Sequence, residues 1–256
     1  MSDPEHQVSC RNHGSTPETF VCVHLAKGAG CGYHASADNP NDPWPDAWCD
    51  RCEVAFQAVG AWTSENEPEL ALLCTHCYEE ARARNASVPE PLVGAPIPVD
   101  DETYVAFTRA ACERAASRQE RARTRWPIFA IHDRWHYDGE AGTICFERDG
   151  GQEGERATLV ADVRVVGSFS TTTNTWLWSW GNEHVSDVER SAIDAVRVFA
   201  EVRGIAQLCE AHRPAELAEG WQMAAIAADL LGAEAIYRAP MDHLQVFMLL
   251  RGFRSA

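Results

Sequence analysis

Cysteine and histidine recur in close pairs along the first third of this 256-residue chain: Cys10 with His13, Cys22 with His24, Cys49 with Cys52, and Cys74 with Cys77. Two soft ligands one or two residues apart can reach a single ion from a tight backbone turn. Four of them make the tetrahedral sulfur and nitrogen shell that Zn2+ prefers. The eight residues therefore predict two zinc sites. Sequential sharing puts Cys10, His13, Cys22 and His24 on one ion and Cys49, Cys52, Cys74 and Cys77 on the other. A cross-brace, first pair with third and second with fourth, satisfies the same spacing. Cys31 and His34 also have ligand spacing and stand as secondary candidates, able to replace Cys22 and His24. A complete shell of four protein ligands leaves no position for water, so both zincs are expected to be structural rather than catalytic.

The elements around these pairs fit that chemistry. Residues 1–85 are poor in large aliphatic and Phe side chains compared with 128–256, and a unit with so little core needs a staple. Phe20–His24 alternates and predicts a short strand presenting Cys22 and His24 on one face. Asn39–Asp46, with three prolines, predicts an extended or turning segment. Cys74 and Cys77 open a helix running to about Arg84, whose N-terminal dipole would face the thiolates. Trp48, Trp62 and Tyr78 are the residues expected to cover the metal sites. The expected organisation is a zinc-binding module over 1–85, a Pro-rich, semi-rigid linker over 86–99 and an α+β domain over 100–256.

In that last domain an Arg-rich helix spans Asp101–Trp126, with Tyr104, Phe107, Ala111 and Ala115 on one face and Pro127 as its stop. Arg134–Asp138 and Thr143–Asp149 predict a hairpin, with a further turn at Gly150-Gly151. Ala157–Ser170 predicts a strand with Leu159, Ala161, Val163 and Val165 on one face. The next strand would set Trp176, Trp178 and Trp180 together on one face. Ser186 and Glu189 form a capping box for a helix with Val188, Ala192, Val196, Phe199 and Val202 as its buried stripe. A second helix covers Gly220–Leu231, and Ala235–Arg238 and Leu244–Gly252 return as strands. An antiparallel sheet packed with two or three helices is the expected fold.

Other candidate sites carry less. The tryptophan face, with Asn182 and Trp221 at its rim, reads first as core and second as a ligand or partner surface. His132 and His136 would share a strand face without a third metal ligand, and Cys209 with His212 stands alone. Cys112 and Cys145 read as buried small residues. The arginines from Arg109 to Arg125 read first as a solvated stripe that neutralises acidic neighbours and second as a surface for an anionic partner. No phosphate-binding glycine loop, nucleophile elbow or carboxylate pair is present, so the chain leans away from an enzyme. A net charge of −16 repels phosphate backbones and makes nucleic acid an unfavourable partner. It would suit a basic protein instead. The N-terminus has no signal-peptide pattern and no stretch is apolar enough to span a membrane, so the expected location is cytoplasmic, where close Cys pairs bind metal more often than they form disulfides. These readings point to a non-enzymatic interaction or adaptor protein, immunity-type proteins being one example, with a small-ligand binder or enzyme using the tryptophan face as the alternative.

Two resemblances cover most of the chain. Cys10-x2-His-Gly, Phe20-Val-Cys-x-His-Leu25, Pro45-Asp-Ala-Trp-Cys-x2-Cys52 and Leu72-Leu-Cys-x2-Cys-Tyr78 are similar to a small bacterial zinc-module family. From about Phe129, the residues Asp162-Val-x-Val-Val-Gly-Ser168, Thr175-Trp-Leu-Trp-x-Trp180 with Asn182, Gly220-Trp221 and Val246–Leu250 resemble a separate bacterial family of domains of unknown function. The first resemblance implies zinc; neither implies a reaction.

Overall fold

The computed structural model describes residues 6–36, 42–150 and 156–256. The chain divides into two compact units, Met1–Tyr104 with Asp194–Cys209, and Val105–Ile193 with Glu210–Ala256. Residues 39–41 of the expected extended segment and Gly151 of the expected turn lie outside the described residues.

The first unit opens with a hairpin of β1 (Gln7–Cys10) and β2 (Gly14–Cys22), closed where Cys10 pairs with Gly14. Gly14 has φ +76°, a conformation that costs a residue with a Cβ. Then come α1 (Val23–Lys27), β3 (His34–Ala35), β4 (Ala47–Trp48), α2 (Asp50–Val59), β5 (Leu70–Cys74) and α3 (Thr75–Ala86). β5 runs antiparallel to β2, from Glu18 opposite Cys74 to Cys22 opposite Leu70. β4 joins β2 in parallel at Val21 and Ala47, and β3 pairs with β4. The expected strand thus begins earlier and ends at Cys22, and His24 lies in α1. Within residues 6–92 the core is small: Val21, Leu25, Ala29, Ala47, Tyr78, Ala81 and Leu92 are buried, while Val196, Phe199, Val202, Ile205 and Leu208 add buried apolar residues from the 194–209 part of the unit. Polar ties supplement it. Buried Asn85 accepts from Cys31 N and donates to Leu25 O and Ala81 O. Arg203, 2% exposed, meets Asp50 at 2.7 Å and donates to Gly30 O.

The expected linker is instead packed into this unit. Leu92 is fully buried, and the Val99 amide donates to Arg203 O. The four prolines remove amide donors and restrict φ without preventing close packing.

The remaining elements are α4 (Asp101–Arg125), α5 (Pro127–Ala130), β6 (Arg134–Asp138), β7 (Thr143–Asp149), β8 (Arg156–Ser170), β9 (Thr175–Trp178), α6 (Asp187–Arg203), α7 (Ala206–Cys209), β10 (His212–Pro214), α8 (Leu217–Leu231), β11 (Ala235–Met241) and β12 (Leu244–Ser255). From Asp194, α6 belongs to the first unit with α7, a grouping that composition does not reveal. The second unit is built on a seven-stranded antiparallel sheet centred on β8. β12 runs along one edge of β8, with β11 beyond it; β7 and β9 share the other edge, with β6 and β10 outside them. The α+β class is therefore as the alternation of the sequence predicts.

Three details differ from expectation. A register shift on β12 between Phe247 and Met248 leaves an extra residue in β8 between Val165 and Gly167, so Val166 rather than Val165 is buried. The last tryptophan of the Trp176/178/180 series has left the strand: β9 stops at Trp178, and Trp180 sits in a 3-10 turn over Ser179–Gly181. Val188 is exposed, and Ile193, Val196, Phe199 and Val202 form the buried face of α6. Gly204, at φ +68°, terminates that helix as expected.

Candidate metal centres

Four elements end at the cysteine pairs. Cys10 closes β1, and His13 lies in the turn before β2. Cys74 caps the N-terminus of α3 and accepts a hydrogen bond from the Cys77 amide at 3.4 Å. These four residues gather into one group. At the far end of β2, Cys22 ends the strand, His24 follows in α1, and Cys49 and Cys52 sit at the N-terminus of α2; these form a second group. Within each group all four ligand atoms lie within 4.8 Å of one another. Both Cys-x2-Cys pairs thus open helices, where the positive end of the dipole favours thiolates.

The pairing is nested, first pair with fourth and second with third. It is neither the sequential nor the cross-braced arrangement. Strand length and register decide it. The nine residues of β2 extend over roughly 30 Å at about 3.3 Å per residue, so His13 and Cys22 sit at opposite ends of one rod and cannot share an ion. The antiparallel register of β5, with Cys74 beside Glu18, and the pairing of Ala47 with Val21 bring the fourth pair to the first and the third to the second. Reading a strand from Gly14, rather than from Phe20, would have excluded sequential sharing.

The distances test whether an ion fits. Metal–sulfur bonds of about 2.3 Å and metal–nitrogen bonds of about 2.0–2.1 Å at tetrahedral angles require S···S edges of about 3.8 Å and S···N edges of about 3.6 Å. In the first group Cys10 Sγ lies 3.9 Å from Cys77 Sγ, and His13 Nδ1 lies 3.6, 3.4 and 3.5 Å from the sulfurs of Cys10, Cys74 and Cys77. In the second, Cys49 Sγ is 3.6 Å from Cys52 Sγ, and His24 Nδ1 is 3.6 and 3.5 Å from them. A disulfide needs about 2.05 Å, and the cysteines of both groups are not bridged to one another. Two Cys3His sets are therefore placed at the edges of tetrahedra able to hold a metal ion, each using Nδ1 of its histidine.

The electrostatics agree. Backbone amides of Asn12 and His13 directed at Cys10 hold its thiol down to about 6. His24 is raised to about 9, first by its contact with Cys22 and next by Cys52. Thiolates held this close require a shared proton or a cation. Cys31 behaves differently: burial pushes it up to about 12, and its thiol points to Ala29 O. His34 places Nε2 2.7 Å from Asp50 Oδ1. Neither secondary candidate belongs to a group. Tyr78 is buried with its hydroxyl on Pro45 O, while Trp48 and Trp62 pack around Phe56 of α2, with Trp48 Nε1 donating to Glu53.

The other candidates resolve as follows. Trp176 and Trp178 are fully buried, their rings edge to face at 5.3 Å, with Trp176 against Phe247 and Gly220. Gly167 is required opposite them, because a Cβ there would lie 2.5 Å from Leu177 O and 2.7 Å from the Trp176 ring. The tryptophan face is thus core, not an open surface; Trp180, Asn182 and Trp221 are half-buried. His132 precedes β6 and meets Tyr237, and Cys209 bonds back to Ile205 O. Among the described residues neither these nor His136 and His212 join a metal group. Cys112 and Cys145 are half-buried rather than buried. From the arginine stripe, Arg114 forks onto Asp229 through Nε and Nη2, and Arg118 joins the same carboxylate.

Fold and site together define an α+β protein that carries two Cys3His groups in a small unit stitched from short elements. The chain belongs to DUF6882, a family of unknown function whose pattern matches residues 105–253, more than half of its length. That match begins after the last cysteine pair and so does not cover the metal centres. No curated protein and no solved structure matches the chain.

Proposed function

We propose that the protein is a non-enzymatic interaction or adaptor protein whose first unit is a two-zinc module. The carrying observation is the pair of complete Cys3His sets at tetrahedral spacing. Four protein ligands occupy every position of a tetrahedral ion, which suits a structural zinc and leaves no site for an activated water. Three thiolates and an imidazole favour zinc over the harder, oxygen-seeking cations. Among the described residues no helix is long and apolar enough to cross a membrane, and a reducing cytoplasm would keep the thiols available to metal. Protein purified without chelator should contain two zinc ions per chain, with X-ray absorption showing three sulfurs and one nitrogen around each. Iron in their place, or thiols titrating as disulfides, would remove the reading.

The partner we infer is a basic protein, because the chain carries 38 acidic against 22 basic residues. Pull-downs at low ionic strength should enrich proteins of basic composition and lose them near 1 M salt, where the Debye length shrinks to about 3 Å. Recovery of no basic protein at low salt would rule out this partner class.

A further inference from the structure

The second unit contains a cavity of about 620 Å3, within the range of roughly 300–1,000 Å3 typical of small-molecule sites. The half-buried rings of Trp221 of α8 and Tyr237 of β11 supply its aromatic walls, buried Phe129 of α5 and Phe247 of β12 also border it, and Arg123 of α4 and Arg238 of β11 supply charge.

Three observations set this hollow apart. No carboxylate lines it, whereas three other cavities of the same unit contain Glu120 and Glu234, Glu216 and Glu219, or Asp162 and Glu189. In a chain with net charge −16, an acid-free, arginine-flanked space runs against the composition. Arg123 and Arg238 form no ion pair among the described residues, in contrast to Arg114 and Arg118 on the same helix as Arg123, which are held by Asp229. His132, which also lines the cavity, has Nε2 at 3.2 Å from the Tyr237 hydroxyl while its buried Nδ1 has no hydrogen-bond partner. Buried polar atoms are ordinarily paired, so this nitrogen, closed off from solvent, leaves an unmet hydrogen bond within the cavity's lining.

We propose that this cavity binds a small aromatic anion. Its ring lies among the aromatic walls, where offset and edge-to-face contacts add to apolar burial. Its acidic group meets Arg123 and Arg238, whose planar forks match the paired oxygens of a carboxylate or phosphate. The tryptophan series of β9 takes no part, and the proposal is independent of the metal centres.

Calorimetric titration of the full chain tests this with benzoate, 2-naphthoate and phenyl phosphate, set against neutral benzamide and 2-naphthamide. At least one anion should bind saturably, roughly tenfold or more tighter than its amide; the carboxylate and phosphate arms show which head group is taken. The Arg123→Gln/Arg238→Gln double variant should lose that advantage while keeping the thermal midpoint of the parent, since both arginines are exposed. Ala218→Trp, an exposed cavity-lining position on α8, should fill the space and remove binding altogether. Absence of saturable binding by all three anions, amides binding as tightly as acids, or undiminished binding by the double variant would each overturn the proposal.

Discussion

Chelation of the metal from native protein is expected to unfold the metal-binding part of the first unit, residues 6–92. Structural zinc supplies an apparent ~10–16 kcal/mol of binding free energy that becomes folding free energy, as much as the whole stability of an ordinary domain, about 5–15 kcal/mol. The core that residues 6–92 supply, built on Val21, Leu25, Tyr78 and Leu92, is too small to replace it. Amide exchange should show loss of protection across β2, β5 and α3 when a strong chelator is added, while β7, β8 and β12, which have their own hydrophobic core, retain theirs. Substitution separates the ligands from their neighbours. Cys74→Ala should release one zinc and unprotect the hairpin side of the unit; Cys31→Ala should leave two zincs bound, because Cys31 stands outside both groups. Unchanged protection after complete metal removal would show that apolar packing alone holds this unit.

Trp176→Ala is expected to cost about 3–5 kcal/mol, the range for deleting a large buried aromatic ring. The ring is fully buried between Phe247, Trp178 and Gly220, and truncation would leave a void between β9, β12 and α8. Urea unfolding followed through the second unit measures it. A loss below about 1 kcal/mol would mean the ring is not core, and a ligand-facing role for β9 would then return.

The difference between what was legible and what was not follows one physical line. Local patterns were legible: close Cys/His pairs gather at turns and helix starts, Pro127 follows the end of α4, Arg134–Asp138 and Thr143–Asp149 pair as a hairpin, and alternating residues mark β8. Long-range geometry did not. Which pair meets which depended on the length of β2 and on the register of β4 and β5 against it, and the spacing of the cysteines does not encode that register. Val165 was misplaced because one extra residue in β8 reverses its pleat, a choice made by pairing with β12. The proline-rich 86–99 segment was read from composition as a spacer, yet Leu92 within it is fully buried, which composition does not encode. Arg123, His132 and Arg238 are far apart in sequence and share no motif; only the folding of α4, β11 and the segment before β6 brings them to one cavity.

The nested order of the metal centres bears on how the chain comes off the ribosome. Ligand sets arranged like parentheses are completed from the inside outward: the inner set is whole once Cys52 has emerged, whereas Cys10 and His13 wait until Cys74 and Cys77 are made. Vectorial synthesis, N-terminus first, therefore fills one site while the other still lacks half its ligands. The bracket that closes last locks the hairpin and the first long helix together in a single step.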